Sequence, residues 1–95
     1  ANNLRSLYFD YLGQIELKLK NYAQAKVCFD SAIQLAPEQV NFYLGRGLAL
    51  QQVGDSVQAR ADFKKVLQLD ADNSLARHNL ALLGTNQPTA ETEQL

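Results

Sequence analysis

The feature that most constrains this chain is an internal repeat with a period of 34 residues. The segment "NYAQAKVCFDSAIQLAP" at 21–37 returns in altered form as "DSVQARADFKKVLQLDA" at 55–71. The same shift also aligns Gly13 with Gly47. A fixed period of this length indicates stacked units, each of which needs a neighbour to bury its apolar face.

Each unit has the pattern of two helices, because apolar residues recur at steps of three and four. Asn21 and Asp55 are good N-cap residues, and each is followed three residues later by a glutamine that could complete a capping box. Gly54 suits a left-handed helix end, whereas Lys20 at the matched place carries a steric cost unless Asn21 takes that conformation. Pro37 is predicted in the first turn of the next helix.

The sequence therefore predicts an all-α helical-hairpin repeat of about two and a half units. We expect a single domain over 1–84 and a disordered polar tail over 85–95. The predicted helices cover about 3–19, 22–35, 38–53, 56–69 and 74–84.

Two glycines, Gly13 and Gly47, fall in the middle of predicted helices. Glycine there costs about 0.5–1 kcal/mol relative to alanine, so close approach by a neighbouring helix should offset it. We expect Ala25 and Ala59 to be the facing small residues, with a phenylalanine filling the wider gap one turn on.

Both units share a pattern of aromatic, small and helix-ending residues. Its members are Phe9, Leu12, Gly13, Tyr22, Ala25, Phe29, Ala32 and Pro37, then Tyr43, Gly47, Gly54, Asp55, Ala59 and Phe63. The pattern resembles the tetratricopeptide repeat (TPR). Units 6–39 and 40–73 match in the same register, and 74–84 resembles either a third first helix or the capping helix that usually closes such arrays. Departures occur at Arg46, Ser56, Ala71 and Arg77.

This resemblance implies an α-solenoid in which the first helix of each pair lines a concave groove that holds a segment of another protein. The chain would then be a protein-binding scaffold or assembly factor. Surplus apolar residues rimmed by amides on these helices fit that use, since apolar area gives affinity and amides fix orientation. The candidate groove residues are Leu7, Tyr11, Gln14, Asn41, Leu44, Leu48, Gln51, Gln52, Leu75, His78 and Leu82.

Another reading of the same strip stays open. It could pack on a second copy in a homodimer or on a neighbouring repeat, and the chain could be a self-association, regulatory or targeting segment of a larger enzyme or complex.

The resemblance also implies a test for one kind of partner. TPR domains that clamp acidic chaperone C-termini use lysine, asparagine and arginine at five groove positions. The corresponding residues here are Asp10, Gln14, Gly45, Leu75 and Asn79, which include no cation. Asp10 would repel a carboxylate, so we do not expect this chain to bind such tails.

Composition disfavours several other functions. The net charge is −1 with cations and anions interleaved, so clustered positive charge for nucleic acid is lacking. No apolar run approaches the roughly 18 residues of a membrane span. There is no catalytic, metal or cofactor motif, and neither Cys28 nor His78 has companions, so we expect a non-enzyme without cofactors.

Cys28 aligns with Asp62, which predicts an exposed or half-exposed thiol. A single cysteine leaves cytoplasmic, periplasmic or organellar locations open.

Overall fold

The computed structural model describes residues 2–86, and every regular element in that range is a helix. The all-α prediction is confirmed, and each helix boundary lies within two residues of its predicted place. Of the predicted tail, the first two residues continue the last helix, and the rest lies outside the described residues. The helices are α1 (Asn2–Lys18), α2 (Tyr22–Leu35), α3 (Val40–Val53), α4 (Ser56–Leu69) and α5 (Ser74–Asn86).

The five helices form a linear stack of hairpins. Helix α1 pairs with α2 and α3 with α4, while α2 packs on α3 and α4 packs on α5. Helix α1 also contacts α3 directly, so the first helices of successive units are neighbours. Positions that recur at the period of 34 residues therefore recur at equivalent places in the stack.

Both hairpins turn through a left-handed residue, although only one of the two is glycine. Gly54 has φ 91° and Lys20 has φ 64°. The next backbone N–H in each case donates to a carbonyl in the last helical turn, from Asp55 to Leu50 at 2.9 Å and from Asn21 to Glu16 at 2.8 Å. Lys20, and not Asn21, therefore takes the strained conformation.

The N-cap predictions are confirmed for α4 only. The Asp55 side chain accepts a hydrogen bond from the backbone N–H of Gln58 at 3.1 Å. Asn21 makes no such bond, and its side-chain amide donates to Glu16 Oε1 at 2.9 Å. The prediction for Pro37 is wrong, because it lies in the turn before α3, where its carbonyl accepts from the Tyr43 hydroxyl at 2.6 Å.

Two apolar clusters hold the stack together. The smaller cluster comprises Ala25, Phe29 and Ala49, with Leu17 packed against it. The larger cluster joins the second hairpin to α5. Its buried members are Tyr43, Leu50, Ala59, Phe63, Val66, Ala76 and Leu83.

The glycines accommodate phenylalanine rings, which corrects the expectation that alanines face them. A Cβ on Gly13 would lie 2.6 Å from Phe29 Cζ, and one on Gly47 would lie 2.9 Å from Phe63 Cε1. A Cβ on Gly45 would also collide with the Phe29 ring. The Phe29 ring is thus fitted between glycines of α1 and α3, and its position depends on both.

Candidate protein-binding groove

Apolar side chains of the predicted groove are exposed on α1 and α5 and half-buried on α3. Leu7 on α1 is 55% exposed, and Leu75 and Leu82 on α5 are 45% and 40% exposed. Leu44 and Leu48 on α3 are half-buried, because they pack against the larger apolar cluster. The strip therefore has open ends and a partly covered middle.

The polar members of the predicted groove are also accessible. Asn41, Gln52 and His78 are exposed, whereas Gln14 and Gln51 are half-buried. These side chains can donate and accept hydrogen bonds, which is the role of amides beside an apolar binding strip.

One carboxylate lies beside this strip. Asp10 Oδ1 accepts a hydrogen bond from Gln14 Nε2 at 3.5 Å. Burial raises the pKa of Asp10, and the bond from Gln14 partly opposes that effect. A ligand carboxylate placed here would meet an acceptor that is already desolvated.

A cleft of about 280 Å³ opens between α1 and α3, lined by Ser6, Leu7, Gln39 and Phe42. Leu7 is the predicted groove residue that contributes to it. Direct contact between the first helices of adjacent units thus leaves a recess that could take a side chain of a bound segment.

Tyr11 lies apart from that cleft, although it belongs to the predicted groove set. Its matched residues in the next two units, Gly45 and Asn79, are buried. Tyr11 itself is 73% exposed and lines a different cleft of about 340 Å³ with other residues of α1. Tyr11 therefore faces the outer end of the stack.

An ion network on the other side of α3 centres on Arg46, one of the departures from the repeat pattern. Arg46 Nε and Nη2 donate to the two carboxylate oxygens of Asp62 at 2.9 and 2.7 Å, and Nη1 donates to Asp30 at 2.9 Å. Lys26 also pairs with Asp30 at 2.8 Å. Arg46 therefore pairs with acids on both neighbouring helices.

This network links three helices, because Asp30 belongs to α2, Arg46 to α3 and Asp62 to α4. The hydrogen bonds to Asp62 are the main cause of the raised pKa of Arg46, with a further contribution from Asp30. Asp62 is only 2% exposed, and the hydrogen bonds from Arg46 compensate for the burial of its carboxylate. The sequence signal for this network was Arg46 itself, a cation at the position where the first unit has Leu12.

Cys28 is buried, which corrects the expectation of an exposed thiol. It is 8% exposed, and its aligned residue Asp62 is buried as well. Burial, together with the nearby Glu16 carboxylate, raises the pKa of the Cys28 thiol. The alignment misled because a carboxylate was assumed to be exposed, whereas Arg46 allows Asp62 to be buried.

The described part of the chain contains no cluster of histidine, cysteine, aspartate and glutamate able to hold a metal ion. Within residues 2–86, no helix combines the length and apolar character needed to cross a membrane.

Family models decide what kind of repeat this is. Two models described as Tetratricopeptide repeat match residues 6–39 and 40–73, which together make up more than two-thirds of the chain. The chain belongs to the tetratricopeptide repeat family. The register of the matches is the one read from the sequence.

Similar TPR sequences occur in much longer proteins. Superkiller protein 3 of Schizosaccharomyces pombe is 35% identical over 72 residues, which cover 76% of this chain and 5% of that protein. Across the curated relatives compared, the chain spans 4% to 15% of their length.

Solved TPR domains share the fold. The Arabidopsis OM64 TPR domain superposes with a TM-score of 0.84 at 25% identity, covering 87% of this chain and 69% of that chain. The second TPR domain of human RPAP3, solved in complex with the HSP70 peptide SGPTIEEVD, gives 0.82 at 26% identity, covering 84% of this chain and 67% of that chain.

Two of the five TPR positions compared above with chaperone-tail binders are occupied by internal contacts here. At Gly45 the Phe29 ring takes the space a side chain would need. Asn79 is 7% exposed, and its amide donates to the Leu75 carbonyl at 2.8 Å. Neither position offers a free donor toward a ligand.

Proposed function

We propose that this TPR chain binds a segment of a partner protein in the groove lined by α1, α3 and α5. The observation that carries the proposal is the strip of leucines on the first helices, exposed on α1 and α5 and half-buried on α3, with amides beside it. Leu7 and Leu75 are each about half exposed, at 55% and 45%, although they lie on different helices. Burial of such side chains by a ligand gives roughly 25 cal/mol per Å² of apolar area before the costs of association.

The groove favours a ligand with apolar anchors over an acidic tail. The RPAP3 domain was solved with a peptide that ends in EEVD, but this chain has Asp10 and not a cation at the first of the five compared positions. Gly45 and Asn79 offer no substitute, because both are enclosed by the chain's own residues. A ligand segment with leucine-sized side chains and few acids fits the strip best.

The surroundings of the cysteine and the histidine support a binding role without catalysis. Cys28 is buried and the pKa of its thiol is raised, which disfavours a thiolate nucleophile. His78 is exposed on α5. The chain would act as a scaffold or assembly factor that holds its partner rather than transforms it.

Selection from a random peptide library on the purified chain would test the groove. Selected peptides should be rich in apolar residues. Leu75→Asp and Leu82→Asp should each lower the affinity for these peptides at least tenfold, as measured by fluorescence anisotropy. Val57→Asp is the matched control, because Val57 is 71% exposed on α4 and should leave binding unchanged. Equal affinities in the groove variants and the wild type would contradict the proposal.

The ligand class has its own test. The peptide SGPTIEEVD should show no saturable binding to the wild-type chain at concentrations where a selected apolar peptide saturates. Saturable binding of this acidic peptide would overturn the assignment of ligand class, while leaving the groove itself to be judged by the library peptides.

A further inference from the structure

Five apolar side chains form a stripe along the outer side of α1 and the turn after it. This stripe, called here the end face, comprises Leu4, Tyr8, Tyr11, Ile15 and Leu19, which are 73%, 60%, 73%, 51% and 63% exposed. Their spacing of three and four residues places them on one side of the helix. Exposed apolar patches larger than roughly 300–600 Å² mark interaction sites, and a stripe of five large side chains reaches that size.

The equivalent positions elsewhere in the stack are covered. Tyr8, Tyr11 and Ile15 have counterparts in both later units, and all of these counterparts are buried. The first of those units is covered by α2, whose Phe29 ring lies over Gly45. The counterparts are Phe42, Gly45 and Ala49 in α3, and Ala76, Asn79 and Leu83 in α5.

A further helix that packed on α1 in the way that α2 packs on α3 would not fit the end face well. Tyr11 stands where Gly45 makes room for a phenylalanine ring, so a helix with the α2 pattern would collide there. The stripe is also longer than a stacking face. Leu4 aligns with Glu38 and Leu19 with Val53, and both of these are exposed although α3 is covered.

The stripe is nearly symmetric about Tyr11. Leu4 and Leu19 lie at similar distances on either side of it, as do Tyr8 and Ile15. A second copy of the helix running antiparallel would therefore bring Leu4 against the partner's Leu19 and Tyr8 against the partner's Ile15. Such self-complementarity is the requirement for an interface with two-fold symmetry.

We propose that the end face is the interface of a symmetric homodimer, in which two α1 helices pack antiparallel with Tyr11 near the two-fold axis. The two tyrosines of one copy could bury roughly 300–500 Å² between them if fully covered. Charge is compatible with this pairing, since Arg5 lies on the same flank as Glu16, eleven residues on, and would be near the partner's Glu16. The interface includes no residue of α5, whose Leu75 and Leu82 belong to the groove.

Sedimentation equilibrium over a range of concentrations tests the dimer. The chain should reach twice its mass of 10.6 kDa and not exceed it. Tyr11→Glu and Ile15→Glu should each weaken dimerisation at least tenfold with unchanged helical circular dichroism. Val57→Glu, at an equally exposed valine of α4, should dimerise as the wild type does. A monomer at all concentrations, or growth beyond a dimer as in head-to-tail stacking, would overturn the proposal.

Cross-linking tests the register. In a Cys28→Ala background, Tyr11→Cys should give a covalent dimer on mild oxidation, because the two Cβ atoms would meet near the axis. Leu4→Cys alone should not, whereas an equal mixture of Leu4→Cys and Leu19→Cys should form the mixed disulfide. Efficient cross-linking of Leu4→Cys alone would contradict the antiparallel register. The Leu75→Asp variant should remain dimeric, so failure of the dimer and failure of the groove are distinguishable.

Discussion

The two units of the repeat share a fold but place different residues at matched positions. Tyr11 of the first unit corresponds to Gly45 of the second, and Lys20 corresponds to Gly54. Gly45 is buried against the Phe29 ring, whereas Tyr11 is 73% exposed at the outer end of α1. A position that is glycine beneath the Phe29 ring can be a large aromatic residue on the side of α1 that no helix of the described chain covers.

The difference teaches that the neighbouring helix, more than the repeat itself, sets the residue at each position. At a third matched pair the first unit has Leu12 and the second has Arg46, whose partner Asp62 is buried. The first unit has Cys28 at the position of Asp62. The first unit thus has Leu12 and Cys28 at the positions where the second unit has an ion pair, and the two sets of residues can be exchanged experimentally.

The largest expected effect comes from breaking this ion pair. Arg46→Leu alone leaves the Asp62 carboxylate buried without its main partner, and losing one member of a buried pair costs about 3–5 kcal/mol. We expect the free energy of unfolding, measured with urea, to fall by about 3 kcal/mol. This is the low end of that range, since the Arg46 side chain is 21% exposed.

The double variant Arg46→Leu with Asp62→Cys is the control, because it recreates the Leu12 and Cys28 arrangement in the second unit. Replacing a buried ion pair with apolar residues is often neutral or stabilising, so most of the lost stability should return. A double variant as unstable as the single one would show that the two units are not interchangeable at these positions.

A smaller effect is expected from filling the space at Gly45. A Cβ there collides with Phe29, whose ring is fully buried and cannot move into solvent. Gly45→Ala should therefore cost about 1–3 kcal/mol by overpacking, as measured by urea unfolding. Gly84→Ala is the matched control, because a Cβ at that helical glycine meets nothing within 4 Å. It should stabilise the chain by roughly 0.5–1 kcal/mol. The same sign for both substitutions would contradict the packing described here.

Periodicity predicted the helix boundaries to within two residues, because it depends on local sequence. Two helix-end details failed, the side-chain cap at Asn21 and the place of Pro37, and the other failures depended on contacts between helices. Phe29, rather than Ala25, faces Gly13 because of the way α1 and α2 cross, and residue spacing does not specify that crossing. The burial of Cys28 was missed because its aligned carboxylate is buried through a cation sixteen residues away.

The candidate groove was predictable only as a set of helices. The repeat register identified α1, α3 and α5 as first helices, but the exposure of each side chain depends on its neighbours. Leu44 is half-buried by the larger cluster, while Leu75 remains 45% exposed. Tyr11 faces the end of the stack because no helix of the described chain covers that side of α1. Its role in groove binding stays a prediction.

The smallest expected effect concerns the two turns between helices. Lys20 has φ 64°, and a left-handed conformation costs a residue with a Cβ roughly 1–2 kcal/mol. Lys20→Gly removes that strain but increases the freedom of the unfolded chain, so the net gain should be about 0.5–1 kcal/mol. Gly54→Lys, the reverse exchange in the second unit, should lose a similar amount, since Gly54 has φ 91° and open space around it. Thermal unfolding of both variants measures this. If Lys20→Gly lowers the melting temperature, the Lys20 side chain has a stabilising contact that outweighs its backbone strain, and the two turns differ in more than their central residue.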